Sequence, residues 1–194
     1  MMMKKMMAGL LASCMLLSAA PAYAAETEAA APVEINWSDV TDALEAAGQD
    51  PLEMGDFYTF NDIACMMWAP HGLEPQELTE EDTENGMIAY FSTEEGDAAA
   101  SVVYVDLSGE DLAYYKGLLA EDEDVSDLSD IVINGINGIG YDLKDKDSRS
   151  VAFETDSGYV LEFTFAPVSD ENFESVLTMM MASIQPEQEA ETEA

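Results

Sequence analysis

The fold is decided by the stretch VAFETDSGYVLEFTFA at residues 151–166, where two strand-like runs flank a short Asp-Ser-Gly turn at residues 156–158. In the second run the large apolar side chains fall on alternate positions, with Glu162 and Thr164 between them. Side chains alternate between the two faces of a strand, so this run is predicted to bury one face and leave the other partly wet. The apolar parity consists of Tyr159, Leu161, Phe163 and Phe165.

Six further strand-like runs come before this hairpin and are separated by short turns or polar loops. Short connections favour antiparallel pairing of neighbouring strands. The run VVYV at residues 102–105 is apolar on both parities, which is typical of a central strand covered on two faces. The six predicted strands span residues 57–60, 63–68, 88–92, 101–106, 131–133 and 138–143.

Three helices are predicted around these strands. The first is expected to begin with Ser38 as its N-cap and the second with Ser108, because serine hydroxyls satisfy the first unpaired amides of a helix. The third follows Ser169, presents one apolar stripe and ends before Pro186. This set of elements predicts an α+β domain, a mainly antiparallel sheet with helices packed on its faces as an α/β/α sandwich.

Four short motifs also follow one another in a recognisable order. They are Met67-Trp68-Ala69-Pro70 at the end of an early strand, Ile133-Asn134-Gly135 at a hairpin, Ser157-Gly158-Tyr159 before a late strand, and Ala182-Ser183-Ile184-Gln185 at the end of the last helix. In this order the chain resembles the PsbP-like superfamily, named after an extrinsic subunit of the photosynthetic oxygen-evolving complex. The resemblance covers residues 55–185. It implies an antiparallel sheet between helices and a role in binding other proteins, and it supplies no catalytic residue.

The two ends of the chain are predicted to lie outside the folded domain. Lys4 and Lys5 precede an uncharged, mostly apolar stretch that ends Ala-Tyr-Ala, which is typical of a secretory signal peptide cleaved after Ala24. The sequence LASC at residues 11–14 resembles a lipobox, so lipid attachment at Cys14 is the alternative. The predicted organisation is a signal peptide over 1–24, an acidic linker over 25–36, a single domain over 37–185 and an acidic disordered tail over 186–194.

The chain carries 41 acidic and 6 basic residues, which give a formal net charge of −35. Nucleic-acid binders and polybasic membrane-surface proteins need cationic stripes, so this composition excludes both classes. Weak screening of the surface by divalent cations is expected. An EF-hand is not predicted, because the run that starts at Asp122 has Asp127 at the glycine position and Ile133 at the final glutamate position.

One short cluster contains the residue types that bind soft metals or act as nucleophiles. Cys65, Met67 and His71 offer sulfur and imidazole ligands, so a Cu(I) site is one alternative hypothesis. A hydrolase with Cys65 as nucleophile and His71 as base is a weaker one, because a reactive thiolate needs a positive environment. The favoured interpretation is structural, with a cysteine and a methionine in a core strand followed by a loop histidine. No catalytic, cofactor-binding or metal-binding residue is therefore predicted.

The predicted function is that of a secreted, non-enzymatic binding or accessory module. Its partner is expected to be a protein or a cell-envelope component with a basic or cation-bridged surface, since like charges repel. No nucleic-acid partner and no stable membrane span are expected. The loops around residues 68–73 and the wetter face of the sheet are predicted to form the exposed binding patch.

Overall fold

The computed structural model describes residues 31–155 and 158–186. The predicted signal peptide, Cys14 and the residues after 186 lie outside the described part of the chain. Besides a 3-10 turn at Asn61–Ile63, the described ranges contain five helices: α1 (Trp37–Ala46), α2 (Pro51–Met54), α3 (Glu80–Glu84), α4 (Leu112–Glu121) and α5 (Glu171–Ala182). The strands are β1 (Val33–Ile35), β2 (Gly55–Phe60), β3 (Cys65–Pro70), β4 (Glu74–Pro75), β5 (Met87–Ser92), β6 (Ala99–Val105), β7 (Val125–Ile133), β8 (Ile136–Leu143), β9 (Ser148–Glu154), β10 (Val160–Ala166) and β11 (Gln185–Pro186).

Eight strands form one sheet in the order β1-β7-β8-β9-β10-β6-β5-β4. Its neighbouring pairs are antiparallel except for β1 and β7, which are parallel. In the centre, Phe163 of β10 is in register with Val102 of β6 and with Val151 of β9. The α+β class and the mainly antiparallel sheet predicted from the sequence are confirmed. Three residues of the predicted acidic linker form β1.

The predicted strands at 57–60 and 63–68 belong to a second, smaller sheet. They correspond to β2 and β3, which pair with each other, and β11 adds to the other side of β3. Because β11 follows the last helix, its pairing with Cys65 and Met66 joins the end of the described chain to its first third. The local pattern of the sequence could not indicate this long-range pairing, and the prediction of one sheet is corrected on this point.

The start of α1 differs from the prediction by two residues. The helix begins at Trp37, with Asn36 at the N-cap position, so Ser38 lies inside the first turn and is not the cap. The amide of Trp37 donates to Oδ1 of Asn134 (2.8 Å), 97 positions along the chain. This long-range hydrogen bond replaces the local serine cap that the sequence favoured, since an N-terminal amide needs one acceptor from any source.

The second predicted helix is corrected in the same way, whereas the third is confirmed. Ser108 has a φ of 56°, which a helix cannot contain, and α4 starts after Asp111, whose side chain accepts from the Tyr114 amide (2.8 Å). Asp170 caps α5 in the predicted place. The described ranges contain no helix with the length and hydrophobicity needed to cross a bilayer.

The larger core lies between the eight-stranded sheet and a layer made of α1, α5 and the small sheet. On β10 the predicted apolar parity is buried at Leu161, Phe163 and Phe165. Tyr159 shares that parity but precedes the strand and is exposed. The helices and the small sheet contribute most of the remaining buried volume: Val40, Leu44, Met67, Trp68, Phe173, Val176, Leu177, Met180 and Ile184.

The opposite face of the sheet is covered by α4, which packs against β7 and β9. A second, smaller cluster fills the space beneath it: Leu119, Ile139, Tyr141, Ala152 and Val160. With helices on both faces of the sheet, the predicted layering is confirmed.

Asn134 ties three distant parts of the chain together at the tip of the β7–β8 hairpin. Its backbone is left-handed (φ 48°) and so is that of Gly135, as a tight turn between two strands requires. Its side-chain amide donates to the carbonyl oxygens of Ala182 (2.7 Å) and Ile184 (2.8 Å), and Oδ1 accepts from Trp37. One side chain therefore joins the hairpin to the start of α1 and the end of α5.

Candidate functional site

The apolar residues of the binding patch predicted around residues 68–73 are part of the core. Trp68 and Leu73 are 1% and 0% exposed. The Trp68 indole donates to the carbonyl oxygen of Pro51 (3.0 Å), and its amide donates to the hydroxyl of Ser183 (2.8 Å). Because these partners and the neighbouring rings enclose Trp68, its side chain cannot serve as a docking surface, and the prediction is corrected for Trp68 and Leu73.

Cys65, Met67 and His71 do not converge on one point. Cys65 begins β3, whereas His71 follows its last residue, Pro70. Five steps along a strand separate the two ends of β3 by roughly 17 Å, far more than one metal ion can bridge. His71 is exposed, and its Nε2 lies 3.1 Å from Oδ2 of Asp56. The structure therefore does not support the Cu(I) hypothesis.

The thiol of Cys65 lies in an environment that opposes nucleophilic chemistry. Burial raises its pKa from 9.0 to about 11, although hydrogen bonds from the backbone oppose that shift. Sγ lies 3.7 Å from the carbonyl oxygen of Met66 and has no imidazole beside it. A thiol that stays protonated at neutral pH is a poor nucleophile, so the structure does not support the hydrolase hypothesis either.

The polar parity of β10, predicted to be partly wet, lies beneath α4. Glu162 is half-buried there, and its Oε2 accepts from the hydroxyls of Tyr115 (2.5 Å) and Tyr141 (2.7 Å). Its Oε1 lies 3.0 Å from the hydroxyl of Thr164 and 3.2 Å from that of Ser150. The carboxylate is thus surrounded by hydroxyl groups from one helix and three strands.

The same cluster determines the ionisation of its two tyrosines. Burial is the main cause that raises the pKa of Tyr115 and of Tyr141 above the ordinary value of 10.0, and the negative charge of Glu162 adds to it. Both phenols therefore stay protonated over the whole neutral range. A protonated phenol donates its hydrogen to the carboxylate, so the cluster fastens α4 to the sheet.

An open cleft of about 640 Å³ lies near the end of β6, on another part of the surface. Its lining comes from three separate segments: the turn after α3, the last residues of β6, and the residue before β10. Those segments bring together Glu84, Asn85, Gly86, Tyr104, Val105, Asp106 and Tyr159. The volume lies within the range of small-molecule sites.

Gly86 fixes one side of the cleft through its backbone. The Gly86 carbonyl oxygen accepts from the amide of Tyr104 (2.8 Å), and a Cβ at Gly86 would stand 2.8 Å from the Tyr104 carbonyl oxygen. Its φ of 83° adds a second reason for glycine, because this left-handed backbone strains other residues. The turn that carries Glu84 and Asn85 is thereby held close to the end of β6.

Two tyrosine rings form a corner of the cleft. The ring centroids of Tyr104 and Tyr159 are 5.7 Å apart, and the ring planes are inclined at 63°. Tyr104 packs partly against the larger core, whereas Tyr159 is 58% exposed. Two backbone-directed hydrogen bonds to Thr155 fix Tyr159: its amide donates to the threonine hydroxyl (3.0 Å), and its carbonyl oxygen accepts from the threonine amide (2.8 Å).

The charged groups of the cleft are all acidic. Glu84 and Asp106 are exposed, and none of the seven residues that line the cleft is a lysine, arginine or histidine. Asp106 Oδ1 accepts from the Ser108 amide (2.8 Å), which orients that carboxylate. Aromatic faces beside carboxylates attract cations and repel anions.

The sequence did not predict this cleft. Its three lining segments are far apart along the chain, the first and the last by more than 70 positions, and no motif links them. Tyr159 was assigned to the buried parity of its strand. One usable signal was present: an aromatic residue directly after a turn glycine, where a strand has no neighbour to cover its first side chain.

No protein-family model and no curated protein sequence matches the chain. Among solved structures, the chain is similar to the solution structure of cyanobacterial PsbP (CyanoP) from Synechocystis sp. PCC 6803. The two share 12% sequence identity and a TM-score of 0.49, and the match covers 69% of this chain and 92% of that one. The likeness is one of fold alone.

Proposed function

We propose that this protein is an exported binding module that engages a positively charged partner, either a protein or a cell-envelope component, through the cleft at Tyr104 and Tyr159. In this proposal residues 37–185 act as one domain, and the signal-like residues 1–24 direct its export. The observation that carries the proposal is the cleft itself, in which two aromatic rings stand beside the carboxylates of Glu84 and Asp106.

The net negative charge of the whole chain also favours a positively charged partner. Of its 6 basic residues, Lys116 lies beside Asp130 and Arg149 makes a paired contact with Asp142. A surface with so few cations steers a basic partner toward it and repels acidic ones. The cleft then offers an aromatic anchor point, and tyrosines at such points often contribute most of the binding energy.

A comparative pull-down tests the proposal. The purified full-length chain is immobilised and exposed to a cell-envelope extract of the source organism at moderate ionic strength. Wild type and Tyr114→Ala should recover the same partner, and Tyr159→Ala should lose most of it. Tyr114 is the matched control, because it is an exposed tyrosine (47%) on α4 and does not line the cleft.

A second pair of variants separates the aromatic contribution from the electrostatic one. Glu84→Gln with Asp106→Asn should weaken recovery, whereas Glu94→Gln with Glu95→Gln, at exposed positions outside the cleft, should leave it nearly unchanged. Equal recovery by wild type and Tyr159→Ala would contradict the proposal, and so would repeated recovery of no partner at all.

A further inference from the structure

We infer that the group bound between Tyr104 and Tyr159 is a methylated ammonium group, of the kind carried by choline. This inference rests on the proposed function of the cleft and names the chemistry that the cleft selects. Three properties of the lining carry it: the angle between the two rings, the sign of the nearby charges, and the mainly apolar surface of the walls.

The ring geometry gives a cation two aromatic surfaces at once. The planes of Tyr104 and Tyr159 are inclined at 63° with centroids 5.7 Å apart, so they form two adjoining walls instead of one flat stack. A cation is attracted to the face of an aromatic ring when it lies within about 6 Å of the centroid. A rounded cation in this corner can therefore approach both tyrosines simultaneously.

The charges around the corner exclude anionic ligands and favour cations over neutral ones. Glu84 and Asp106 lie on the lining, and the four basic residues within the described ranges, Lys116, Lys144, Lys146 and Arg149, do not. A phosphate or carboxylate would meet two negative groups without a compensating cation. A positively charged ligand meets the same two groups as attractive partners.

The walls further favour a methylated ammonium over a primary one. The rings of Tyr104 and Tyr159 present mainly carbon, so they cannot replace the water that a compact –NH₃⁺ group holds strongly. A trimethylammonium group is covered by methyl groups and loses little hydration when it contacts aromatic carbon. The absence of a Cβ at Gly86 keeps the adjoining turn close to Tyr104 without filling the corner.

The test compares choline with its neutral carbon isostere, 3,3-dimethyl-1-butanol, on the purified full-length chain. Isothermal titration and shifts of tyrosine ring NMR signals are the readouts. Choline should bind at least about threefold to tenfold more tightly than the isostere, and Tyr159→Ala should weaken choline binding by about threefold to thirtyfold. Tyr114→Ala should bind choline as the wild type does.

The ring signals keep the test informative if Tyr159→Ala lowers stability. Choline should shift the resonances of Tyr104 and Tyr159 in the wild type and leave those of Tyr114 in place. Glu84→Gln, at an exposed position, should weaken choline binding without changing the binding of the isostere. Choline binding that survives Tyr159→Ala, or that shifts only other tyrosines, would overturn the inference.

Phosphatidylcholine vesicles then distinguish a lipid headgroup from a free solute as the source of the ligand. Cosedimentation that requires Tyr159 would assign a headgroup, and choline binding without cosedimentation would assign a soluble ligand; both results support the inference. Equal affinity for choline and its isostere would overturn it and leave the proposed function standing. If neither probe binds while the pull-down still depends on Tyr159, the inference fails and the proposed function survives.

Discussion

The two faces of the eight-stranded sheet are stabilised by different kinds of contact. On the side of α1 and α5, aromatic rings, leucines and methionines pack together, and Phe163 meets Phe60 and Phe153 at centroid distances of 6.1 Å. On the side of α4, the middle of the sheet holds Glu162 within a ring of hydroxyl groups. The stability of the first face depends on how well its side chains fill the available volume. The stability of the second depends on hydrogen bonds between the hydroxyl donors and the carboxylate of Glu162.

This difference explains where the molecule can and cannot offer a site. The hydroxyl groups around Glu162 already occupy its oxygens, so a ligand there would have to break several hydrogen bonds at once. At the end of the apolar face the packing layer stops short, and Tyr104 and Tyr159 remain in contact with solvent. The candidate site therefore lies at the partly exposed edge of the apolar core. It is not a buried polar cluster like the one around Glu162.

The largest expected effect is on the apolar face, from Phe163→Ala. Removing a ring that is 1% exposed leaves a cavity among Phe60, Phe153 and Val102, and the free energy of unfolding should fall by about 3–5 kcal/mol. Urea denaturation followed by circular dichroism measures the loss. Phe163→Leu, which keeps most of the volume, should cost about 1 kcal/mol. Equal costs for the two variants would show that packing does not govern this face.

A smaller loss is expected on the polar face, from Glu162→Gln. A glutamine amide cannot accept a hydrogen bond at its nitrogen, so the hydroxyls that face it lose their acceptor and stability should fall by about 2 kcal/mol. Glu45→Gln on the exposed side of α1 is the control and should change stability by less than about 0.5 kcal/mol. If Glu162→Gln and Glu45→Gln lowered stability equally, the hydroxyl groups around Glu162 would make no specific contribution to the stability of the fold.

The same contrast decides how much of the structure the sequence could reveal. The alternation on β10 was sufficient to predict its buried side chains, because a strand with one covered face places an apolar side chain at every second position. It misassigned Tyr159, since β10 starts at Val160 opposite Val105, the last residue of β6, so the Tyr159 ring lies against Tyr104 at the end of the sheet and stays 58% exposed. The alternating pattern therefore predicts which face of the sheet each side chain occupies, but it does not predict the residue at which the strand begins.

Long-range polar contacts lay beyond sequence reasoning for a related reason. Trp68 packs inside the larger core, where its amide donates to Ser183, 115 positions away, and the first amide of α1, that of Trp37, donates to Asn134. The sequence predicted an exposed patch around residues 68–73, because neither hydrogen bond is visible in the residues next to Trp68 or Trp37. The cleft combines three segments in the same manner, and the patch predicted around residues 68–73 does not include them.

The smallest expected effect is a loss of folding stability at alkaline pH. It involves one titratable group on each face, Cys65 on the apolar face and Tyr141 on the polar face. The folded protein keeps the protons of Cys65 and Tyr141 above the ordinary pKa values of 9.0 and 10.0, whereas the unfolded chain releases them. Stability should therefore be complete below pH 9 and fall as the pH rises, first because of the thiol, whose folded pKa is about 11, and then because of the phenol.

Variants separate the two contributions through the change in stability between pH 8 and 10. Cys65→Ala should reduce that change by about 1 kcal/mol, and Tyr141→Phe by about 0.4 kcal/mol, since a phenol protonated in the fold and half-ionised in the unfolded chain differs by RT ln 2. Because each variant is compared with itself at the two pH values, its constant loss of packing or hydrogen bonding cancels. A pH dependence unchanged by Cys65→Ala would mean that the thiol ionises in the folded protein as it does in water, which a side chain enclosed on the apolar face cannot do.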